Sequence, residues 1–315
     1  MLAAAVFVAS LSVGSRATSP LDVWSVLVGR GDDVVASLVA ARLDRAVLAA
    51  IVGVCAGASG ALLQGLTRNP IADPGLLGMT AGGSMAVVVA LQVFGVTSTP
   101  GMAIAAFLGV AVAALVVMVL GLRVPRRRQA LTMLLVGAAV MALANSVISA
   151  LLVTNAASLE LLRHWQVGSV SGVGLARLPG VTPFLVAGVG LALLQGRSLD
   201  ALTLGEDTAH ALGHSVTRQR VLVMGAAVLL TASATALAGP IAAVGLVAPH
   251  VARRIVGSAH TWLIAGSALA GAALVITADT LGRVIAPPSE VSVGIMTALI
   301  GAPVLLVFAR RAVAA

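Results

Sequence analysis

Apolar stretches of up to about two dozen residues recur along nearly the whole chain, near residues 1–14, 46–66, 76–96, 101–122, 130–153, 181–196, 221–239, 241–256, 262–285 and 292–309. A helix of about 20 apolar residues crosses the roughly 30 Å of bilayer hydrocarbon. Within lipid every backbone N–H and C=O must be satisfied internally, which leaves helices or closed barrels. Ten helix-length stretches therefore predict an all-α, polytopic transmembrane bundle of about ten spans, with residues 1–315 forming a single membrane domain. Only 10% of the residues are charged, whereas a soluble domain needs about 25% to meet water over its whole surface. Aromatic residues are 3%, without a tyrosine, so the interfacial belt is thin. The first stretch is too short to cross the bilayer. It lacks the basic flank and cleavage site of a signal peptide, and reads as the end of a span that begins further upstream. The eighth holds Pro249 and is expected to be kinked or broken.

The charge pattern orients the bundle. All 19 basic residues are arginine and the formal net charge is +8. A basic balance can mark nucleic-acid binding, but here the arginines sort by membrane side. With a cytoplasmic N-terminus, twelve fall inside, including Arg68, Arg123, Arg126, Arg127, Arg128, Arg218 and Arg220, and seven outside, four of these in one loop before the second span (Arg16, Arg30, Arg42, Arg45). That bias follows the positive-inside rule. Cys55, the single cysteine, forms neither an internal disulfide nor a thiolate cluster, and reads as a small packed residue. Gly53, Gly57 and Gly60 share one side of the second span, where small residues let helices approach.

Four constellations stand out. Residues 64–75 place Asn69, Pro70, Asp73, Pro74 and Gly75 between two spans; Asp73 and Pro74 read as the cap and first position of the following helix, in what is otherwise an ordinary tight turn. Residues 199–213 form the longest polar stretch on the cytoplasmic side. Leu204, Ala211 and Leu212 supply one apolar face, Glu206 and Asp207 sit at the helix start, and Gly213 suits its end. Such a helix either docks a soluble partner or lies on the headgroups. His210 and His214 lie four apart there, without the third ligand a metal site needs. Residues 239–254 interrupt a membrane-depth segment with glycines and prolines, and His250 within it is either structural or a proton relay. Asp279 and Arg283 are spaced to pair on a helix, as an anchor for its end or as a functional intramembrane group. With no lysine there is no Gly-x-x-x-x-Gly-Lys-Ser/Thr phosphate loop, and neither a Gly-x-Ser-x-Gly elbow nor His-Glu-x-x-His occurs. No metal or cofactor is expected.

Seven motifs in order resemble the permease subunits of iron-siderophore, haem and cobalamin ABC importers, the FecCD-type or type II permeases. They are Arg42-Leu43-Asp44-Arg45; Gly60 to Gln64 with Asn69 to Gly78; Trp165-Gln166-Val167-Gly168-Ser169; Leu204-Gly205-Glu206; Gly245 to His250; Ala278-Asp279-Thr280; and Gly294-Ile295 with Ala298 to Pro303. The likeness implies a ten-span fold, a second permease identical or related to this one, two cytoplasmic ATPase subunits and an extracytoplasmic substrate-binding protein, in a cell membrane and without nucleic acid. It implies that residues 197–219 couple to the ATPase through Leu204, Gly205, Glu206, Asp207, Ala209, Leu212 and Gly213, and that Arg42, Arg45 and Arg283 meet carboxylates of the binding protein. Asp44 departs from the family, which has proline there. Ferric siderophore is the expected cargo, with haem or cobalamin as alternatives. The family mechanism is alternating access without chemistry on the substrate, with a pore lined from the second, fifth and eighth spans. The rivals are an ion-coupled secondary carrier, which needs intramembrane acids, and an intramembrane enzyme, which needs paired catalytic groups at membrane depth.

Overall fold

A computed structural model describes residues 2–14, 18–30, 32–154, 167–172, 174–211, 215–286 and 289–314. Its helices are α1 (Leu2–Ser12), α2 (Pro20–Leu27), α3 (Asp33–Thr67), α4 (Met79–Gln92), α5 (Thr99–Leu122), α6 (Arg126–Thr154), α7 (Leu178–Leu194), α8 (Gly196–Thr203), α9 (Glu206–Ala211), α10 (Val216–Ala238), α11 (Val244–Val256), α12 (His260–Ile285) and α13 (Val293–Ala314), with no strand among the described residues. A helix coincides with each of the ten apolar stretches. By length and composition, six helices are sufficient to cross a membrane, and shorter apolar helices at Ala3–Ser12, Met79–Gln92 and Val293–Val304 accompany them.

The bundle is organised around α3, which packs most extensively on α12 and then on α10 and α11. In α3 and α10, 72% of the most apolar window is buried, against 17% in α6 and α7, so the first two are interior and the last two peripheral. On α5, Ile104, Leu108, Val112, Leu115 and Val119 are exposed at steps of three or four residues. An apolar stripe of that length facing outward suits lipid. α3 has 35 residues, about 52 Å at 1.5 Å per residue, and so extends well past a roughly 30 Å core. Arg42 and Arg45 consequently lie on this helix, rather than in the loop expected before it.

Glycine determines how closely the centre packs. A methyl group at Gly53 would collide with the Gly271 carbonyl, one at Gly57 with that of Ser267, and one at Gly60 with that of Gly245. The face legible in the sequence is thus the seam along which α11 and α12 cross α3. Buried Cys55 lies on the same helix and takes no part in a disulfide.

Two interruptions differ from expectation. α11 runs continuously through Pro249, and the break lies upstream, where Gly239 (φ 72°) and Ala243 (φ 69°) turn the chain before the helix starts. Proline has no N–H, which releases the carbonyl four residues back, here that of Gly245. Gln64 Nε2 donates to it across the α3 seam at 3.3 Å, and Gln64 Oε1 accepts from Arg253 at 2.9 Å. A neighbouring helix therefore repairs the defect.

The loop after α3 also departs in detail. Arg68 closes α3 in the left-handed region (φ 50°), and α4 begins only at Met79, capped by Gly78 (φ 73°). Asp73 caps an isolated turn instead of α4: its Oδ1 accepts the Gly75 N–H at 2.7 Å, and its carbonyl accepts the Leu77 N–H at 3.0 Å. Asn69 Oδ1 accepts the Ile71 N–H at 3.1 Å, while Pro70 stays exposed. Ala72, Asp73 and Pro74 are buried, with Asp73 Oδ2 against Gly245. The capping chemistry is as the sequence implies, but the turn folds back beside α3 and α11 before the next helix starts.

Gly57→Ala should destabilise the bundle by about 1–3 kcal/mol through overpacking, read as a fall in the thermal unfolding midpoint in detergent. Gly225→Ala, with no neighbouring atom in the way, should leave it unchanged or slightly raised.

Candidate functional site

The expected coupling segment is a pair of short helices. α8 and α9 are joined at Leu204 and Gly205, and Gly205 takes φ 115°, a conformation only glycine adopts without strain. One side of the pair is fixed to the bundle: Leu199, Ala201, Leu202 and Ala209 are buried. Asp200 Oδ1 accepts the His260 backbone N–H at 2.8 Å and stands 2.8 Å from His260 Nδ1. That N–H is one of the four at the start of α12 without an intrahelical partner, so α8 supplies the cap of α12. Gly196 lets α8 lie against Thr261, and Gly65 accommodates the His260 ring. Arg68 donates to the Leu202 carbonyl, tying the end of α3 to α8. The other side is open: Leu204 is 67% exposed, and Thr208 and His210 are exposed. Ala209 therefore anchors the pair from beneath, while Leu204 projects from it. Glu206 and Asp207 open α9; Leu212, Gly213 and His214 lie outside the described residues.

At the opposite end of α3 lies an arginine–carboxylate lattice. Arg45 Nε donates to Asp279 Oδ1 at 2.7 Å and Nη1 to Glu290 Oε2 at 2.6 Å, with Ser171 Oγ at 3.3 Å. Arg283 Nη2 lies 2.8 Å from Asp279 Oδ2, the pairing that their spacing predicts. Arg283 Nη1 also donates to the carbonyls of Ser10 and Val13, and Arg42 Nη1 to the carbonyl of Leu11 at 2.9 Å and to Thr18 Oγ1. Those carbonyls belong to the last turn of α1 and the residue just after it, which have no intrahelical partners and carry the negative end of the helix dipole. Two guanidinium groups thus cap α1. Arg42 and Arg283 are 8% and 3% exposed, and the Arg45 side chain 14%. The three arginines expected to dock a partner are brought together, mostly beneath the surface.

Sequence reasoning missed Glu290, the Asp200–His260 cap and the bridging role of Gln64. Their signal was a polar residue next to an apolar run, and it carries no information about the distant partner. Trp165 and Gln166 lie outside the described residues, as does His164. His250 is half-buried, its Nδ1 2.8 Å from the Leu246 carbonyl within its own helix. Among the described residues, no group of three or more His, Cys, Asp or Glu gathers to hold a metal.

A bundle of apolar helices of spanning length, with a partly exposed helix pair fastened to one end, defines a multi-pass membrane protein. The chain belongs to the FecCD transport family, whose sequence profile matches residues 2–311. This is a family of ABC transporter permeases, which are transport subunits of the cell membrane. The chain is 42% identical over 272 residues to the ferric enterobactin transport system permease protein FepD of Escherichia coli (strain K12), covering 86% of this chain and 81% of that one. It is 38% identical to the cobalamin import system permease protein BtuC of Halobacterium salinarum, over 85% of this chain and 72% of the relative. Its fold matches a solved structure described as an inward-facing conformation of a metal-chelate type ABC transporter, with TM-score 0.84 and 28% identity, covering 98% of this chain and 96% of that one.

Asp279→Ala removes the buried carboxylate shared by buried Arg283 and partly buried Arg45, and breaking a buried pair from one side costs about 3–5 kcal/mol. The thermal unfolding midpoint should fall steeply for this variant. Glu290→Gln, at a more exposed position, should change stability by less than about 1 kcal/mol.

Proposed function

We propose that this chain is the permease subunit of an ATP-driven importer of ferric siderophores, working by alternating access and performing no chemistry on its cargo. The observation that carries the reading is the α8–α9 pair, fixed to α3 and α12 on one side and open on the other, in a chain 42% identical to a ferric enterobactin permease. Residues 1–315 act as one membrane domain, and ATP is hydrolysed by a separate partner, since this chain has no lysine for a phosphate loop.

Residues 197–219 are the coupling segment. Leu204, Gly205, Glu206 and Asp207 meet the ATPase, Ala209 seats the pair on the bundle, and Leu212 and Gly213 complete the segment. Closure of the ATPase reaches the spans through two fixed links, Asp200 to the start of α12 and Arg68 to the end of α3. A second permease, identical or related, completes the pore, with α3, α6 and α11 contributing its walls; the small buried fraction of α6 supports such a contact. An extracytoplasmic binding protein docks at the arginine lattice. Arg45 is the receptor of the three, and an incoming carboxylate takes the place of Glu290 on it. Arg42 and Arg283 hold α1 beneath that contact. Asn69, Pro70, Asp73, Pro74 and Gly75 keep the structural turn between α3 and α4.

The test is uptake of radio-iron as ferric siderophore into liposomes holding this chain with an ATPase and a binding protein. ATP-dependent uptake is expected, abolished by Glu206→Arg. Uptake driven by an ion gradient without the ATPase would replace this reading with a secondary carrier. ATP-dependent transport of haem or cobalamin but not iron would keep the mechanism and change the cargo. Arg45→Glu should weaken capture of the binding protein about tenfold or more, measured by surface binding to nanodiscs, while ATPase association is unchanged.

A further inference from the structure

Between the cytoplasmic ends of α3, α5, α6 and α10 lies a partly open pocket of about 180 Å³, room for about six waters. Thr67, Arg68, Gln129 and Arg220 supply its polar wall, and no lining residue is acidic. Its floor is apolar and rich in methionine, with Met118, Met133 and Met224 among the lining residues. Methionine is unbranched and adapts to irregular chains. The floor runs out at Leu122, which is exposed on α5 and continues the lipid-facing surface of Leu115 and Val119. Arg123, at the end of α5, and Arg128, in the first turn of α6, are exposed beside it.

We propose that this pocket binds one anionic glycerophospholipid from the cytoplasmic leaflet. The phosphodiester lies against Arg68, Arg220 and Gln129, and the first acyl methylenes lie on the methionine floor. Arg68 donates to the Leu202 carbonyl, and a guanidinium carries five N–H donors in a fork that matches phosphate oxygens. Arg220 lies one turn inside α10, about 6 Å along its axis. Two features favour a lipid over a soluble anion. The basic wall and apolar floor meet within one pocket, matching the two ends of a lipid, and the opening continues onto the face that lipid already covers. Basic pockets between spans on the cytoplasmic side are a recurrent form of anionic lipid recognition. The inference stands on this geometry and does not depend on the cargo or on ATP coupling.

The test uses the full chain in nanodiscs of phosphatidylcholine, with or without phosphatidylglycerol. Native mass spectrometry reads retained lipid, and thermal unfolding reads stability. One phosphatidylglycerol should remain bound and raise the unfolding midpoint. Arg68→Gln with Arg220→Gln should cut retention roughly 30-fold, as two arginines at about 1 kcal/mol each imply. Ala130→Phe keeps both arginines but fills the floor; it should abolish retention while unfolding normally in phosphatidylcholine alone. Arg123→Gln with Arg128→Gln should leave the bound lipid in place. Retention lost with Arg123 and Arg128 but kept in the pocket variants would overturn the proposal in favour of diffuse surface charge. No preference for phosphatidylglycerol over phosphatidylcholine would overturn it outright. Equal stabilisation by inorganic phosphate added to phosphatidylcholine discs would assign the pocket to a soluble anion instead.

Discussion

The close approach of α11 and α12 to α3 is the constraint on which the rest depends. Gly53, Gly57 and Gly60 present bare backbone to the carbonyls of Gly271, Ser267 and Gly245. Between helices in lipid there is little hydrophobic drive, because acyl chains are as apolar as leucine, so affinity comes from contact and from polar bonds made at short range. The seam supplies the contact directly and sets the distance for the polar bonds. Only with α11 this near can Gln64 reach the carbonyl that Pro249 releases. Only with α12 this near can Arg45 reach Asp279.

The two ends of α3 use that rigidity differently. At the α8 end, Gly65 admits the His260 ring and Arg68 holds Leu202, so α8 is fixed to both α3 and α12. A force applied to the exposed side of α8 and α9 is passed to two spans through bonds rather than through a flexible linker. At the other end, Asp279 is shared by Arg45 and Arg283, and the end of α1 is capped by Arg42 and Arg283. The outer arginines, which the positive-inside rule disfavours, thus have work inside the fold. A helix as short as α1 has its final carbonyls satisfied by side chains from α3 and α12.

The breaks in regular structure follow the same logic. The turn at 73–78 meets the first turn of α11 against α3, where Gly245 lies beside Asp73, Pro74 and the Ala56 carbonyl, and Ala243, with positive φ, lies against Gly301 of α13. Irregular backbone at membrane depth survives where protein covers it or where it borders a cavity; Asp73 and Pro74 are buried beside α11, while Pro240, Ile241 and Ala242 border an open cavity shared with α13. A composition with few charges thus still carries a connected set of polar contacts, placed where helices start, end or bend.

The sequence by itself determined the all-helical class, the helical stretches and the family. Each rests on patterns that are local or periodic: apolar runs of spanning length, glycines at helical spacing, and motifs in a fixed order. The pair Asp279 and Arg283 was legible for the same reason, since four residues on a helix is a fixed distance. Tertiary structure alone decided which partners distant groups take. That Arg45 meets Glu290, that Asp200 caps α12, and that the proline defect is repaired by Gln64 depend on where helices far apart in sequence cross. It likewise decided that Asp73 starts an isolated turn and not α4, and that the break near Pro249 lies at Gly239 and Ala243. The physical reason is that a capping residue or a proline fixes local geometry, while the packing of neighbouring helices decides whether the helix continues.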